Sequence, residues 1–204
     1  MFKKDIPNVL TILRIILIPL LVVSFFVPWK ITNLIVSALF SLAGITDYFD
    51  GYFARLFKVQ SDFGRCFDPI ADKLLVSVAL VMLVQFSDSV FLLIPSLIII
   101  CREILVSGLR EYLVGLNVKI AVTRLAKWKT ALQIIGVTGL LLSSKNSNYT
   151  YDTIMNIFEV EPLTRIDLYG VIEKLSTVIL NIAALLTVIT GYAYLKVGLK
   201  NMKQ

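Results

Sequence analysis

The chain has 204 residues, of which 57% are hydrophobic and 17% charged, with a net charge of +6 and no histidine. A mean hydropathy of +0.83 is typical of integral membrane proteins and argues against a soluble domain. A zinc site would need an unusual ligand set, because Cys66 and Cys101 form no zinc-binding pattern and no His is available. The basic residues sit beside apolar runs, as membrane topology requires, so we expect no nucleic-acid partner.

Six apolar stretches follow one another along the chain and are separated by polar loops. They predict spans over residues 9–27, 31–55, 69–86, 90–113, 130–142 and 175–195. Neither an internal repeat nor a second domain is visible. We therefore predict one domain over residues 1–204, an all-α polytopic bundle of about six transmembrane helices. A longer polar stretch, Ser143 to Lys174, is predicted on the outer side.

Lysine and arginine are concentrated in alternate loops. These loops carry Lys3 and Lys4, then Lys58 and Arg65, then residues 119–129, and finally the C-terminal lysines. The positive-inside rule predicts that both termini are cytoplasmic. The same rule places the loop between the second and third spans on the cytoplasmic side.

Four aspartates lie within 26 residues, around the loop between the second and third spans: Asp47, Asp50, Asp68 and Asp72. Asp47 and Asp50 are about one helical turn apart and share a helix face, and the same holds for Asp68 and Asp72. Pro69 marks Asp68 as the predicted N-cap of the third span. Carboxylates in a membrane protein are costly unless they are paired, hydrated or bound to metal. A divalent cation would remove their mutual repulsion, and a site made only of oxygen ligands favours Mg²⁺ or Mn²⁺.

The spacing Asp-x2-Asp-Gly-x2-Ala-Arg-x8-Gly-x3-Asp-x3-Asp resembles the signature of the CDP-alcohol phosphotransferase family. All eight signature positions are matched without a gap, namely Asp47, Asp50, Gly51, Ala54, Arg55, Gly64, Asp68 and Asp72. Members of this family transfer a substituted phosphate from a CDP-alcohol to an acceptor hydroxyl and release CMP. The resemblance implies a homodimeric membrane transferase that uses Mg²⁺ or Mn²⁺, with two ions bound. It also implies a bacterial cytoplasmic membrane or an inner mitochondrial membrane, with the active site on the cytoplasmic side.

The resemblance also implies a role for each signature position. Asp47, Asp50 and Asp68 are the predicted metal ligands. Asp72 is the predicted general base for the acceptor hydroxyl and a further ligand, shared with a second metal ion. The predicted CDP-lipid site consists of residues that let a diphosphate approach the backbone or that pair with its oxygens, namely Gly51, Ala54, Arg55 and Gly64.

Two further runs resemble family members that use CDP-diacylglycerol and glycerol 3-phosphate. One is Pro7-Asn8-x-Leu10-Thr11-x-x-Arg14, and the other is Lys127-x-Lys129-Thr130. A phosphorylated acceptor needs cations beyond those that serve the CDP group. Arg110, Lys127 and Lys129 are the predicted acceptor-phosphate residues.

Two features have alternative interpretations. Arg14 either contributes to the site or extends along the helix toward the lipid headgroups. Arg102 and Glu103 form either a structural ion pair or groups that face a watery cavity.

Other functions also remain open. Within the family, the acceptor could instead be phosphatidylglycerol, as in a cardiolipin synthase, or inositol phosphate or serine. Membrane prenyltransferases also use aspartate-rich Mg²⁺ sites, but they usually need two separated motifs on more helices. A cation transporter would place its carboxylates near the middle of the membrane and gives no reason for Gly51, Ala54, Arg55 and Gly64.

Overall fold

The computed structural model describes residues 6–26, 32–57, 62–87, 89–115, 124–144 and 165–202. Side chains 46–57 and 62–66 lie outside the description, although the helical backbone there is described. The described residues form six helices: α1 Ile6–Phe26, α2 Thr32–Phe57, α3 Asp62–Gln85, α4 Val90–Gly115, α5 Arg124–Leu142 and α6 Arg165–Met202. The predicted all-α class is therefore confirmed.

Interhelical hydrogen bonds fix the direction of α2 relative to α5. Near the start of α2, Asn33 Nδ2 donates to the carbonyl oxygen of Ser144, just after α5, at 3.2 Å. Further along, the hydroxyls of Ser41 and Thr138 lie 3.0 Å apart. The two helices are therefore antiparallel, and because α2 continues to Phe57, its last turns approach the level of the start of α5.

The longest helix, α6, packs along both α4 and α5. At the α5 contact, a Cβ on Gly136 would lie 3.2 Å from the backbone nitrogen of Leu180, so a glycine lets the two backbones approach closely. With 38 residues, α6 is roughly 57 Å long and exceeds a hydrocarbon core of about 30 Å. It starts at Arg165, so the last part of the predicted outer stretch is helical.

The predicted start of the third span is wrong. Helix α3 begins at Asp62 and contains Pro69 in its interior, so Asp68 is not an N-cap. A proline seven residues into a helix removes one internal hydrogen bond without ending the helix. The prediction failed because the polar residues before Asp68 hide the first turns of the helix from a hydropathy criterion.

The predicted start of the fifth span is wrong for a similar reason. Helix α5 begins at Arg124 rather than at Thr130. Lys127 and Lys129 therefore belong to the helix and not to the basic loop before it. Hydropathy detects where a helix is apolar, whereas its hydrogen bonding extends into the charged turns that precede the apolar segment.

The bundle has an apolar interior and an apolar exterior. Leu80, Ile99, Val137 and Leu180 are fully buried between the helices, while Phe91 is 75% exposed on the outside. Within the described parts of the chain, two helical segments are long and apolar enough to cross a membrane: Val90–Gly115 and Gly170–Leu199. The segments Thr11–Phe26 and Thr32–Ile45 are apolar but shorter. Together with the exposed apolar side chains, these segments indicate a membrane protein.

Candidate active site

Two polar contacts join α1 to α3. Thr11 Oγ1 donates to Asp68 Oδ1, and Arg14 Nη1 donates to Asp72 Oδ1 at 2.8 Å. The Arg14 side chain is only 3% exposed, against 33% for Asp72. Arg14 therefore points into the bundle, and its interpretation as a residue extending to the headgroups is wrong.

Helical spacing explains why these four residues meet. Thr11 and Arg14 are three residues apart on α1, and Asp68 and Asp72 are four apart on α3, so each pair shares one face. The two helices run parallel, because the later residue of α1 meets the later residue of α3. A hydrogen bond to a charged group contributes about 1.5–3 kcal/mol, so these contacts hold the aspartates firmly against α1.

A second polar cluster lies between α4, α5 and α6. Glu103 Oε1 accepts hydrogen bonds from Lys129 Nζ and from Arg102 Nη1, the latter at 3.2 Å. Arg102 Nη2 also donates to Thr190 Oγ1 at 3.0 Å. Lys129 is 6% exposed and Glu103 19%. The interpretation of Arg102 and Glu103 as an ion pair is therefore confirmed, and Lys129 is a further member.

Tyr194, on α6, is the centre of the cationic part of this cluster. Its hydroxyl accepts a hydrogen bond from Arg110 Nη2 at 3.3 Å. The guanidinium carbons of Arg102 and Arg110 lie 5.8 and 5.7 Å from the centre of its ring, within the range of cation–π attraction. Tyr194 is only 4% exposed. Gly191 provides space beside it, since a Cβ there would lie 3.0 Å from Arg102 Cγ.

The sequence alone did not indicate a role for Thr190 or Tyr194 of α6. The available signal was a tyrosine four residues after Thr190, near the basic end of the last apolar stretch. Such a tyrosine is common at a membrane interface. Nothing in its local sequence indicates that it contacts two arginines of another helix.

The two clusters lie at the same end of the bundle. Lys73, the neighbour of Asp72 in sequence, donates from Nζ to Ser107 Oγ on α4. Ser107 is one helical turn after Glu103. One contact therefore links α3, next to Asp72, to α4, and α4 in turn contacts Lys129 of α5 and Tyr194 of α6.

The structure describes some of the predicted site residues and leaves others outside. Asp68 and Asp72 are partly buried on α3, Lys129 is buried, and Arg110 and Lys127 are exposed. The remaining predicted positions lie in helical backbone whose side chains are outside the description: Asp47, Asp50, Gly51, Ala54 and Arg55 on α2, and Gly64 on α3. The functional roles of all these residues stay predictions.

The described part of the site fits a hard metal ion chemically. Among the described side chains, no three acidic, Cys or His groups are close enough to hold a metal. Asp47 and Asp50 are outside that set. Asp68 and Asp72 provide carboxylate oxygens from adjacent turns of α3. This donor set suits Mg²⁺ or Mn²⁺ if α2 supplies the other two carboxylates.

Comparisons with known proteins cover most of the chain. A model of the CDP-alcohol phosphatidyltransferase family matches residues 4–189. A Rickettsia typhi protein named CDP-diacylglycerol–glycerol-3-phosphate 3-phosphatidyltransferase is 45% identical over 95% of this chain and 96% of its own length. Proteins with the same name are 44% identical in Rickettsia felis, over 95% of this chain and 94% of the relative, and 38% identical in Haemophilus influenzae, over 96% and 94%.

Proposed function

The chain belongs to the CDP-alcohol phosphatidyltransferase family, and we propose that it transfers the phosphatidyl group of CDP-diacylglycerol to sn-glycerol 3-phosphate. The products are phosphatidylglycerophosphate and CMP. The relatives described above are named for this pair of substrates and match nearly the whole chain. The extent of the family match also argues against a prenyltransferase or a cation transporter.

The acidic cluster is the proposed centre of the reaction. Asp47, Asp50, Asp68 and Asp72 would hold Mg²⁺ or Mn²⁺, two ions in this proposal, and the bound metal supplies positive charge against the diphosphate. Hydrogen bonds from α1 hold Asp68 and Asp72 on one face of α3, which supports their proposed role as joint ligands.

The CDP-lipid would lie along the last turns of α2 and the start of α3. Gly51, Ala54 and Gly64 carry small side chains or none, which allows the diphosphate to approach the backbone. Arg55 would pair with one of its oxygens. These assignments follow the family signature.

The proposed step is a displacement at phosphorus. A hydroxyl oxygen of glycerol 3-phosphate forms a bond to the phosphorus that carries the diacylglycerol. The bond from that phosphorus to the oxygen of CMP breaks, and CMP leaves with the electron pair. Asp72 accepts the hydroxyl proton, while Arg14 holds the carboxylate of Asp72 in position.

The proposed acceptor site is cationic and adjoins the aspartates. Arg110, Lys127 and Lys129 would bind the phosphate of glycerol 3-phosphate. The observation that carries this proposal is the hydrogen bond from Lys73 of α3 to Ser107 of α4. Ser107 lies one helical turn after Glu103, whose carboxylate pairs with Lys129. An acceptor whose phosphate is held by that cluster would direct its glycerol hydroxyl toward Asp72.

The membrane arrangement belongs to the same proposal. All six helices would span the membrane, both termini and the active site would be cytoplasmic, and the chain would act as a homodimer. The bacterial relatives and the distribution of Lys and Arg support a bacterial cytoplasmic membrane.

The decisive experiment compares acceptors directly. Purified full-length protein would receive CDP-diacylglycerol and Mg²⁺ with glycerol 3-phosphate, phosphatidylglycerol, inositol phosphate or serine, and CMP release would be measured. We expect release with glycerol 3-phosphate only, and none from the Asp72→Asn variant. Faster release with another acceptor would overturn the assignment.

A further inference from the structure

An apolar groove lies between α1, α2 and α3. Its volume is about 240 Å³, and its walls include Leu17 and Leu21 of α1, Val36 of α2 and Leu75 of α3. Ser24 and Thr32 lie at the end where α1 finishes and α2 begins. Its walls are otherwise hydrocarbon, so the groove suits an alkyl chain rather than a polar ligand.

The groove begins next to the Arg14–Asp72 ion pair. Leu17 is three residues after Arg14 on α1, and Leu75 is three residues after Asp72 on α3. Both wall residues are therefore about 4.5 Å further along their helices than the ion pair. From Leu17 to Ser24 the groove extends roughly 10 Å more, away from the polar end of the bundle.

The groove is also open at its side. Leu20 and Ile35 line it and are still 50% and 47% exposed. Such an opening faces lipid in a membrane-spanning bundle. Walls without a partner lose their dispersion contacts, so a hydrocarbon chain would fill the groove in a bilayer.

We propose that this groove holds one acyl chain of the CDP-diacylglycerol substrate and thereby aligns the phosphatidyl phosphorus with Asp72. The inference rests on the proposed function and adds to it the site of the lipid tail. It follows from the position of the polar end of the groove. An acyl chain whose phosphate lies near Asp72 reaches Leu17 and Leu75 within one helical turn. A bulk lipid chain that entered through the side opening would contact the same walls without a diphosphate near Asp72, and the experiments below distinguish these two occupants.

Filling the groove should make the enzyme insensitive to chain length. Leu20→Trp and Ile35→Trp add bulk from opposite walls. Ile16→Trp and Leu34→Trp are matched controls, since these residues are 57% and 40% exposed on the same helices and do not line the groove. Each full-length protein would be assayed in mixed micelles with CDP-dioctanoylglycerol and with CDP-dioleoylglycerol.

We expect the ratio of kcat/KM for the long-chain to the short-chain substrate to fall about tenfold in both groove variants and to stay unchanged in the controls. The expected change is moderate because the chain exchanges one apolar environment for another and loses mainly packing contacts. An unchanged ratio in both groove variants would show that bulk lipid fills the groove, and would overturn the inference. Absence of turnover with either substrate in the unmodified protein would overturn the proposed function itself.

Photolabelling gives a test that needs no substitution. CDP-diacylglycerol with a diazirine in the middle of one acyl chain would be bound to the unmodified protein and irradiated, and the labelled peptides mapped. We expect labels on the groove walls of α1 and α2. Labels confined to α4 or α6 would place the chain elsewhere and contradict the inference.

Discussion

Glu103 on α4 forms an ion pair with Lys129 on α5 in the interior of the bundle. The same carboxylate oxygen accepts a hydrogen bond from Arg102, so one negative charge joins two cations. Lys129 therefore has a structural partner as well as a proposed substrate, and the two roles can be separated.

A double-mutant cycle separates them. Lys129→Met removes the cation, Glu103→Gln removes the carboxylate, and the double variant removes both. Each single change should lower stability by roughly 1–3 kcal/mol, between the values for exposed and fully buried pairs. The double variant should recover much of the apparent Tm but keep a KM for glycerol 3-phosphate raised about tenfold or more, because the acceptor loses a charge-assisted contact. A double variant that recovers Tm and acceptor KM together would restrict Lys129 to a structural role.

Tyr194 should influence the acceptor through Arg110. Tyr194→Phe removes the hydroxyl that accepts from Arg110 but keeps the ring beside both arginines. We expect the KM for glycerol 3-phosphate to rise roughly two- to tenfold, corresponding to one hydrogen bond, with the KM for CDP-diacylglycerol unchanged. Tyr194→Leu should have the larger effect because it also removes the cation–π contacts.

The control for this prediction is Tyr192→Phe, since Tyr192 lies on the same helix and is 69% exposed. Steady-state kinetics with each substrate varied separately would provide the measurement. If Tyr194→Phe lowers Tm and leaves both KM values alone, Tyr194 only stabilises the bundle.

Arg14 and Asp72 should act as a unit in catalysis. Arg14→Gln removes the donor at 2.8 Å from Asp72 and should lower kcat by about ten- to a hundredfold. The double variant Arg14→Gln/Asp72→Asn should be no slower than Asp72→Asn alone, because groups that work together are not additive. Losses that multiply would mean that Arg14 acts on the substrate independently of Asp72. Ile16→Ala, on the outward face of α1, provides the control.

Metal removal should abolish turnover. Activity is expected to disappear in excess EDTA and to return with Mg²⁺ or Mn²⁺, because the proposed site consists of carboxylates that repel one another without a cation. Asp50→Asn should lose both Mn²⁺ binding, measured by electron paramagnetic resonance, and turnover. Asp72→Asn should lose turnover but retain more CDP-lipid binding, since the base is needed only for the acceptor step. Full activity in chelator, with no metal found by elemental analysis, would refute the metal assignment.

The class of the fold could be predicted from the sequence because its signals are local. Each apolar stretch specifies a helix through residues that are close to one another in the chain. The helix ends were less accurate, as Pro69 and Thr130 show, because charged turns extend α3 and α5 beyond their apolar segments. The eight signature positions were equally visible, since their spacing is a property of the sequence.

Partners that are distant in sequence were decided by tertiary structure. Arg14 and Asp72 are separated by 58 positions, and whether Arg14 turned toward headgroups or toward a carboxylate depended on how α1 packs against α3. The contact between Arg110 and Tyr194, 84 positions apart, likewise required α4 and α6 to lie side by side and parallel. Hydropathy and spacing determine which helices form and which residues share a face, because they act over a few turns. Which faces then meet depends on the packing of all six helices together, and no local pattern contains that information.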